Sequence, residues 1–189
     1  MAVYYIADPH FGHNAIIRLN NRPFEAVEEM DNTMLSNWRS IVRPDDEVYI
    51  VGDLIFRAKN PPEHYLDRLT GKKHLILGNH DKWSKHVELD KYFESVSQIK
   101  EITDAGRHIV LCHFPMVEWP RSHHNSVLVF GHIHNRTAGD GFNYYLKHEN
   151  MLNAGVDINH YCPVTYHQLV ANNEYFREIN KQDSHGNGE

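Results

Sequence analysis

Short apolar runs alternate with amphipathic stretches through the first half of the chain. Val3 to Ala7, Glu47 to Val51 and Lys73 to Leu77 read as buried strands, the last built around Leu75-Ile76-Leu77. Between them, Ala26 to Ser40 carries Val27, Met30, Met34, Leu35 and Trp38, with Ile41 just beyond, at helical spacing opposite a charged face. Ala15 to Asn20 offers one or two helical turns before the loop at Arg22-Pro23. Asn60-Pro61-Pro62 starts another helix that runs to about Leu69. A short helix is predicted over Asp81 to His86. From about Val96 the rhythm changes. Val96 to Ile102 and His108 to Cys112 flank a hairpin turn at Ala105-Gly106, and Val127 to Phe130 and Met151 to Val156 are further strands. Alternating strand and helix followed mostly by strands predicts an α/β fold: a layered α/β/β/α sandwich of two mixed sheets flanked by helices. A single domain over residues 1–183 is expected, with Ser184 to Glu189 as a polar, Gly-rich frayed tail.

The predicted strands end alike. The first is followed by Asp8 and His10, the second by Gly52-Asp53, and the third by Gly78-Asn79-His80-Asp81. Ile109 to Cys112 leads into His113, and Val127 to Phe130 into Gly131-His132-Ile133-His134. Strand ends at one edge of an α/β sheet converge on the ligand crevice. Asp8, His10, Asp53, Asn79, His113, His132 and His134 would then share one small volume. Burying so many unmatched polar groups costs several kcal/mol each, and metal ions relieve that cost. Nitrogen and oxygen donors without thiolate suit Mn, Fe, Zn or Ni. Seven donors exceed one tetrahedral site, so two ions sharing a carboxylate fit better. Gly52, Gly78 and Gly131 each precede a candidate ligand, where a chain must turn sharply or approach closely.

Composition sharpens this picture. The 189 residues hold 16 histidines and a net charge of −6. Some histidines (His64, His86, His148, His160, His167 and His185) fit a plain surface, but His10, His80, His113, His132 and His134 follow strand ends, where a metal site is the sharper reading. The acidity argues against extended duplex binding, though not against a nucleotide. Cys112 and Cys162 form no metal-binding pair and suit a reducing cytosol. With no signal peptide and no stretch of ~20 apolar residues, a cytoplasmic protein without membrane contact is expected.

Asp8-x-His10, Gly52-Asp53, Gly78-Asn79-His80-Asp81, His113 and Gly131-His132-x-His134 occur in the order found in the calcineurin-like metallophosphoesterases. The chain resembles that family over residues 3 to 135, and its Asp8-x-His10-Phe11-Gly12-His13 start resembles a compact bacterial or phage branch. The resemblance implies two divalent transition-metal ions, with manganese favoured. Asp8, His10, Asp53 and His134 would hold the first ion. Asp53, Asn79, His113 and His132 would hold the second, with Asp53 bridging. His80 would face the substrate as a catalytic group, and Asp81 would orient it. The implied reaction is hydrolysis of phosphate mono- or diesters by a metal-bridging hydroxide. A nuclease acting on nucleic-acid ends is the alternative; a non-catalytic interaction module would be expected to have lost some of these residues.

His13 and Asn14 are read either as phosphate contacts or as local caps. Arg57 and Arg136, a few residues beyond candidate ligands, either reach an anionic substrate or are solvated surface arginines, the latter being the favoured reading. His123 and His124 fall on a rim loop, and Asp31 on the amphipathic helix is read as structural or as part of a solvated face. Asn153 to Asp157 is read as a strand and turn near the site without an assigned role. Only about 55 residues follow His134, so an open, lidless site is expected. Tyr65, Trp83, Tyr92, Trp119 and Tyr161 are candidates to stack a base.

Overall fold

A computed structural model describes residues 1–181; the predicted tail at Ser184 to Glu189 lies outside the described residues. Two four-stranded sheets form the centre. The first takes β1 (Val3–Ile6), β2 (Glu47–Val51), β3 (Lys72–Ile76) and β4 (Ser95–Ser97) in that order, all parallel. The second takes β5 (Ile99–Asp104), β6 (Arg107–Cys112), β7 (Val127–Phe130) and β8 (Met151–Asn153). Its β5–β6 pair is an antiparallel hairpin and the rest is parallel. The first sheet is thus wholly parallel, and only the second is mixed.

Alternation along the strands sorts the core into layers. Tyr5, Ala7, Val51 and Ile76 face Ile109, Leu111, Val127 and Val129 across the gap between the sheets. On the outer face of the first sheet, Ile6, Val48, Ile50 and Leu75 pack against α2 (Val27–Ile41) through Met30, Met34, Leu35 and Trp38. The short helices α1 (Asn14–Leu19) and α3 (Pro62–Leu66) belong to the same layer. On the far side, Val110, Leu128 and Phe130 pack against α4 (Asp140–Lys147) through Phe142 and Tyr145.

The single strand expected over Val96 to Ile102 is two. The chain leaves the first sheet after Ser97 and enters the second at Ile99, with Gln98 alone between. Both pieces are edge strands, so the run shows no break in hydrophobicity. The sequence pattern also missed α4 and α5 (Tyr166–Lys181). The buried positions of α5 are Leu169, Asn173 and Arg177, so its inward stripe is two-thirds polar.

Asn173 explains why that stripe is tolerated. Its Oδ1 accepts hydrogen bonds from the Asn153 amide and the Tyr145 hydroxyl, both at 2.7 Å. Its Nδ2 donates to the carbonyls of Asn153 and Leu169 at 3.0 and 2.8 Å. α5 is thereby fastened to the end of β8. The edge of β1 is fastened to the segment that follows β8: the Tyr5 and Ala7 amides donate to Val164 and Ala154. Among the described residues no helix is long and apolar enough to cross a membrane.

Replacing Asn173 with Leu keeps the branching of the side chain but strands two buried donors, the Asn153 amide and the Tyr145 hydroxyl. It should lower stability by roughly 2–4 kcal/mol, seen as a lower urea midpoint at unchanged slope. A shift smaller than about 0.5 kcal/mol would show that this network does not hold the helix.

Candidate metal centre

The expected residues meet at one edge of the sandwich, and the backbone there is unusual. Asp8, His10, Asp53, His132 and His134 all have left-handed φ values, from 53° to 71°. Asp, Asn and His tolerate this region better than other side chains, but each such residue still costs about 1–3 kcal/mol unless its surroundings impose it. Gly52 has φ 85°, and a Cβ there would lie 2.3 Å from His113 Nδ1. At Gly78 a Cβ would lie 2.3 Å from Asp53 Oδ1. Both glycines therefore let backbone press directly against ligand candidates.

Asp8, His10 and His134 form one buried group whose ligand atoms all lie within 4.8 Å of one another. Asp8, Asp53 and His113 form a second. Asp53 Oδ2 stands between the two sides, 3.6 Å from His10 Nε2 and 3.4 Å from His113 Nε2; His80 Nε2 is 3.9 Å away. Its other oxygen accepts the His80 backbone amide at 2.8 Å. Asp8 Oδ2 accepts the His132 amide at 2.9 Å, while Oδ1 is 3.9 Å from His134 Nε2.

Ring-nitrogen roles follow from fixed acceptors. His113 Nδ1 donates to the Val51 carbonyl at 2.9 Å, so a neutral ring turns its Nε2 lone pair toward Asp53 and toward Asn79 Oδ1 at 3.2 Å. His134 Nδ1 donates to Asp157 Oδ2 at 3.0 Å, and its Nε2 lone pair faces Asp8. Lone pairs therefore confront carboxylate oxygens on both sides.

The titration behaviour reflects that confrontation. Burial opposes charge on His113, but the Asp53 hydrogen bond and the Asp8 and Asp53 charges outweigh it and raise the pKa to about 9. Burial would raise Asp53 as well; His113, the His80 amide and His10 prevail and bring it to about 2. Asp8, wholly enclosed, is pushed by burial up to about 6. Burial lowers His10 to about 2 and His132 to about 4, so both are neutral and able to donate a lone pair.

A cation among these groups answers the conflict. Asp8 Oδ1 and both ring nitrogens of His10 are buried without any hydrogen-bond partner, which a buried polar atom ordinarily has. The donors are imidazole nitrogen, carboxylate and amide oxygen, which suits divalent transition metals. The buried Asp and His groups are fit to hold metal.

The supporting residues depart from expectation. Asp81 does not hydrogen-bond His80. Its carboxylate accepts from the amides of Asp53, Leu54 and Gly78 and from Trp83 Nε1, all at 2.8–2.9 Å. It fixes the loops after β2 and β3 against each other rather than orienting the imidazole. Arg22 and Asp157 carried no functional assignment in the sequence. Their ion pair is fully enclosed, with Nε–Oδ1 at 2.9 Å. The same guanidinium donates to the carbonyls of Asp8 and Pro9 at 2.8 Å. One arginine thus joins the backbone of Asp8 to the carboxylate that orients His134. Asn153 Nδ2 donates to the His134 carbonyl at 2.7 Å. Asp31 is buried, as its structural reading implied, and both oxygens accept the Gly12 amide at 3.1 Å.

His80 reaches the open side, its side chain 36% exposed. Its ring packs on Phe56, with centroids 4.0 Å apart. His13 is buried beside His10 and Phe56, with Nδ1 unpartnered. Asn14 and Arg57 are exposed on the same flank and line a cavity of about 380 Å³ with His13. Arg136 is exposed and close enough to help lower His132. Of the rings expected to stack a base, Tyr65 and Trp119 are core residues, Trp83 is bonded to Asp81 and Tyr161 lies under Arg22. His123 and His124 sit in a short turn outside the metal-ligand groups.

No family model matches this sequence. The uncharacterized protein MJ1445 of Methanocaldococcus jannaschii is 32% identical over 171 residues, covering 89% of each chain. The gene 66 protein of Mycobacterium phage L5 is 32% identical over 159 residues, covering 69% of this chain and 76% of the phage protein. Among solved structures, AQ665 from Aquifex aeolicus, a protein of unknown function, superposes with a TM-score of 0.68 at 29% identity. That match covers 95% of this chain and 98% of the other. The chain belongs to the same family as these archaeal and phage proteins.

Asp157→Asn removes the charge paired with Arg22 and leaves one accepting oxygen where Arg22 and His134 now use two, so the hold on His134 is weakened. Affinity for Mn²⁺ should fall about 10–100-fold, measured by calorimetric titration. An unchanged isotherm would show that Asp157 serves folding alone.

Proposed function

We propose that the chain is a dinuclear metal-dependent phosphoesterase of the calcineurin-like kind, hydrolysing phosphate mono- or diesters. The observation that carries this reading is Asp53 Oδ2, set within 3.4 and 3.6 Å of imidazole nitrogens from opposite sides of the site. Asp8, His10, Asp53 and His134 would hold one ion; Asp53, Asn79, His113 and His132 would hold the other. Bound there, two divalent cations would polarise a water and neutralise phosphate oxygens. Manganese is the favoured ion, since cellular supply can override the general affinity order of these donors.

The chain's own part is placement and proton transfer. His80 has its backbone amide tied to Asp53, so the loop carrying it moves with the bridging carboxylate. Its imidazole is the half-exposed group on the open side of the site. From there Nε2 would donate a proton to the ester oxygen as the P–O bond breaks, leaving a neutral alcohol. Arg22 and Asp81 touch no substrate; they hold the ligand-bearing loops in register.

Hydrolysis of a model phosphodiester should disappear after exhaustive dialysis against EDTA and return on adding Mn²⁺. Turnover that survives complete chelation would sink this reading. His80→Ala should retain two metals per chain by elemental analysis while kcat drops about 10²–10⁴-fold. A matching loss of metal would mean that His80 is a ligand.

A further inference from the structure

A cavity of about 540 Å³ lies beside the candidate ligands, with Asn79 in its wall. Two large apolar side chains stand exposed in its wall, Phe114 at 44% and Ile99 at 48%. Exposed apolar residues gathered beside polar chemistry mark a binding surface. Phe114 is anchored by two candidate ligands: its ring stands edge-on to His113 and His132, with centroids 5.0 and 4.8 Å away. That contact fixes the ring beside the ions while nearly half of it remains accessible. Asn79 itself both reaches His113 Nε2 and lines the cavity, so the cavity adjoins the metal-ligand candidates at that residue.

The polar members of the lining narrow the occupant. Lys82 and Lys85 are exposed there, two cations on a chain of net charge −6. Gln98 and Asn79 add amides that can donate to and accept from a ring edge. An occupant with a flat ring, a hydrogen-bonding edge and negative charge matches this lining. The cavity on the opposite flank differs. It sets Arg57 and Lys59 against Glu28 and Asp31, so its charges favour neither sign.

We propose that the Phe114–Ile99 cavity receives the base of a nucleoside phosphate ester whose phosphate lies at the metal centre. This rests on the phosphoesterase reading and narrows its substrate class. The base stacks on Phe114, its edge meets Asn79 and Gln98, and the lysines face further phosphate. Recognition through a ring face tolerates different bases, because every base offers one. None of the aromatic residues singled out in the sequence does this work.

Calorimetric titration of the Mn²⁺-loaded protein with adenosine 5′-monophosphate and with ribose 5-phosphate separates base from phosphate. The nucleotide should bind about tenfold tighter, within the range of base–aromatic stacking. Phe114→Ala should bring the two affinities to within about twofold, and Phe114→Tyr should keep the gap. Ile99→Glu, on the exposed edge strand, provides a second variant should Phe114→Ala fail to fold; it should weaken the nucleotide and leave ribose 5-phosphate unchanged. Equal affinities in the wild type, or a gap that survives both disruptive variants, would overturn the proposal. Repeating the titration beside a hydrolysis assay separates the two readings. Base-dependent binding without turnover of any ester refutes the hydrolase and keeps the cavity. Turnover without base preference does the reverse.

Discussion

Carboxylate oxygens and imidazole lone pairs held face to face, out of reach of water, are the constraint to which the rest of this structure answers. Such groups repel unless a positive charge lies among them, and a proton on His113 is only a partial remedy. The backbone around them is itself held in a conformation that side chains resist. Neither condition persists without a stiff frame. The frame is the pair of sheets, whose central strands are buried toward their carboxyl ends, where they deliver the polar groups to one edge. Rigidity here is a requirement of the site and not only a by-product of burial.

That division between frame and site decides what the sequence could reveal. Strands with continuous apolar runs were visible, and so were the residues just beyond them, because a carboxylate or imidazole directly after a buried strand has few reasons to be there. Asp8, His10, Asp53, His113 and His134 form the two buried groups, and Asn79 and His132 lie against His113. The clustering of Asp8 with His134 needed nothing more than correct strand ends. α5 was hidden because Asn173 and Arg177 occupy its core-facing positions, where hydrophobic periodicity expects Leu. The step at Gln98 was hidden because an edge strand in either sheet has the same composition.

The supporting residues were illegible for a different reason. Arg22 and Asp157 lie 135 positions apart, and neither carries a local pattern. Their meaning exists only once the first sheet's edge meets the turn after β8. Asp81 shows the opposite failure. Its motif was recognised, but a side chain next to His80 in sequence was assumed to serve it. In the fold its oxygens are fully engaged by backbone amides, which makes Asp81 a clasp between two loops. Adjacency along the chain was a poor guide to partnership where the backbone turns sharply.

The Arg22–Asp157 pair also orders events in time. During synthesis the first sheet can pair its strands as soon as residue 97 has emerged, but His132, His134 and Asp157 follow only tens of residues later. At ~5–20 residues per second, Asp8, His10 and Asp53 are made seconds before their counterparts His132, His134 and Asp157. An ion captured in that interval would be gripped from one side only and would exchange freely. A cation placed among these groups would be gripped from both sides only once the guanidinium has closed on its carboxylate, so the complete grip belongs to the finished fold and not to the nascent chain.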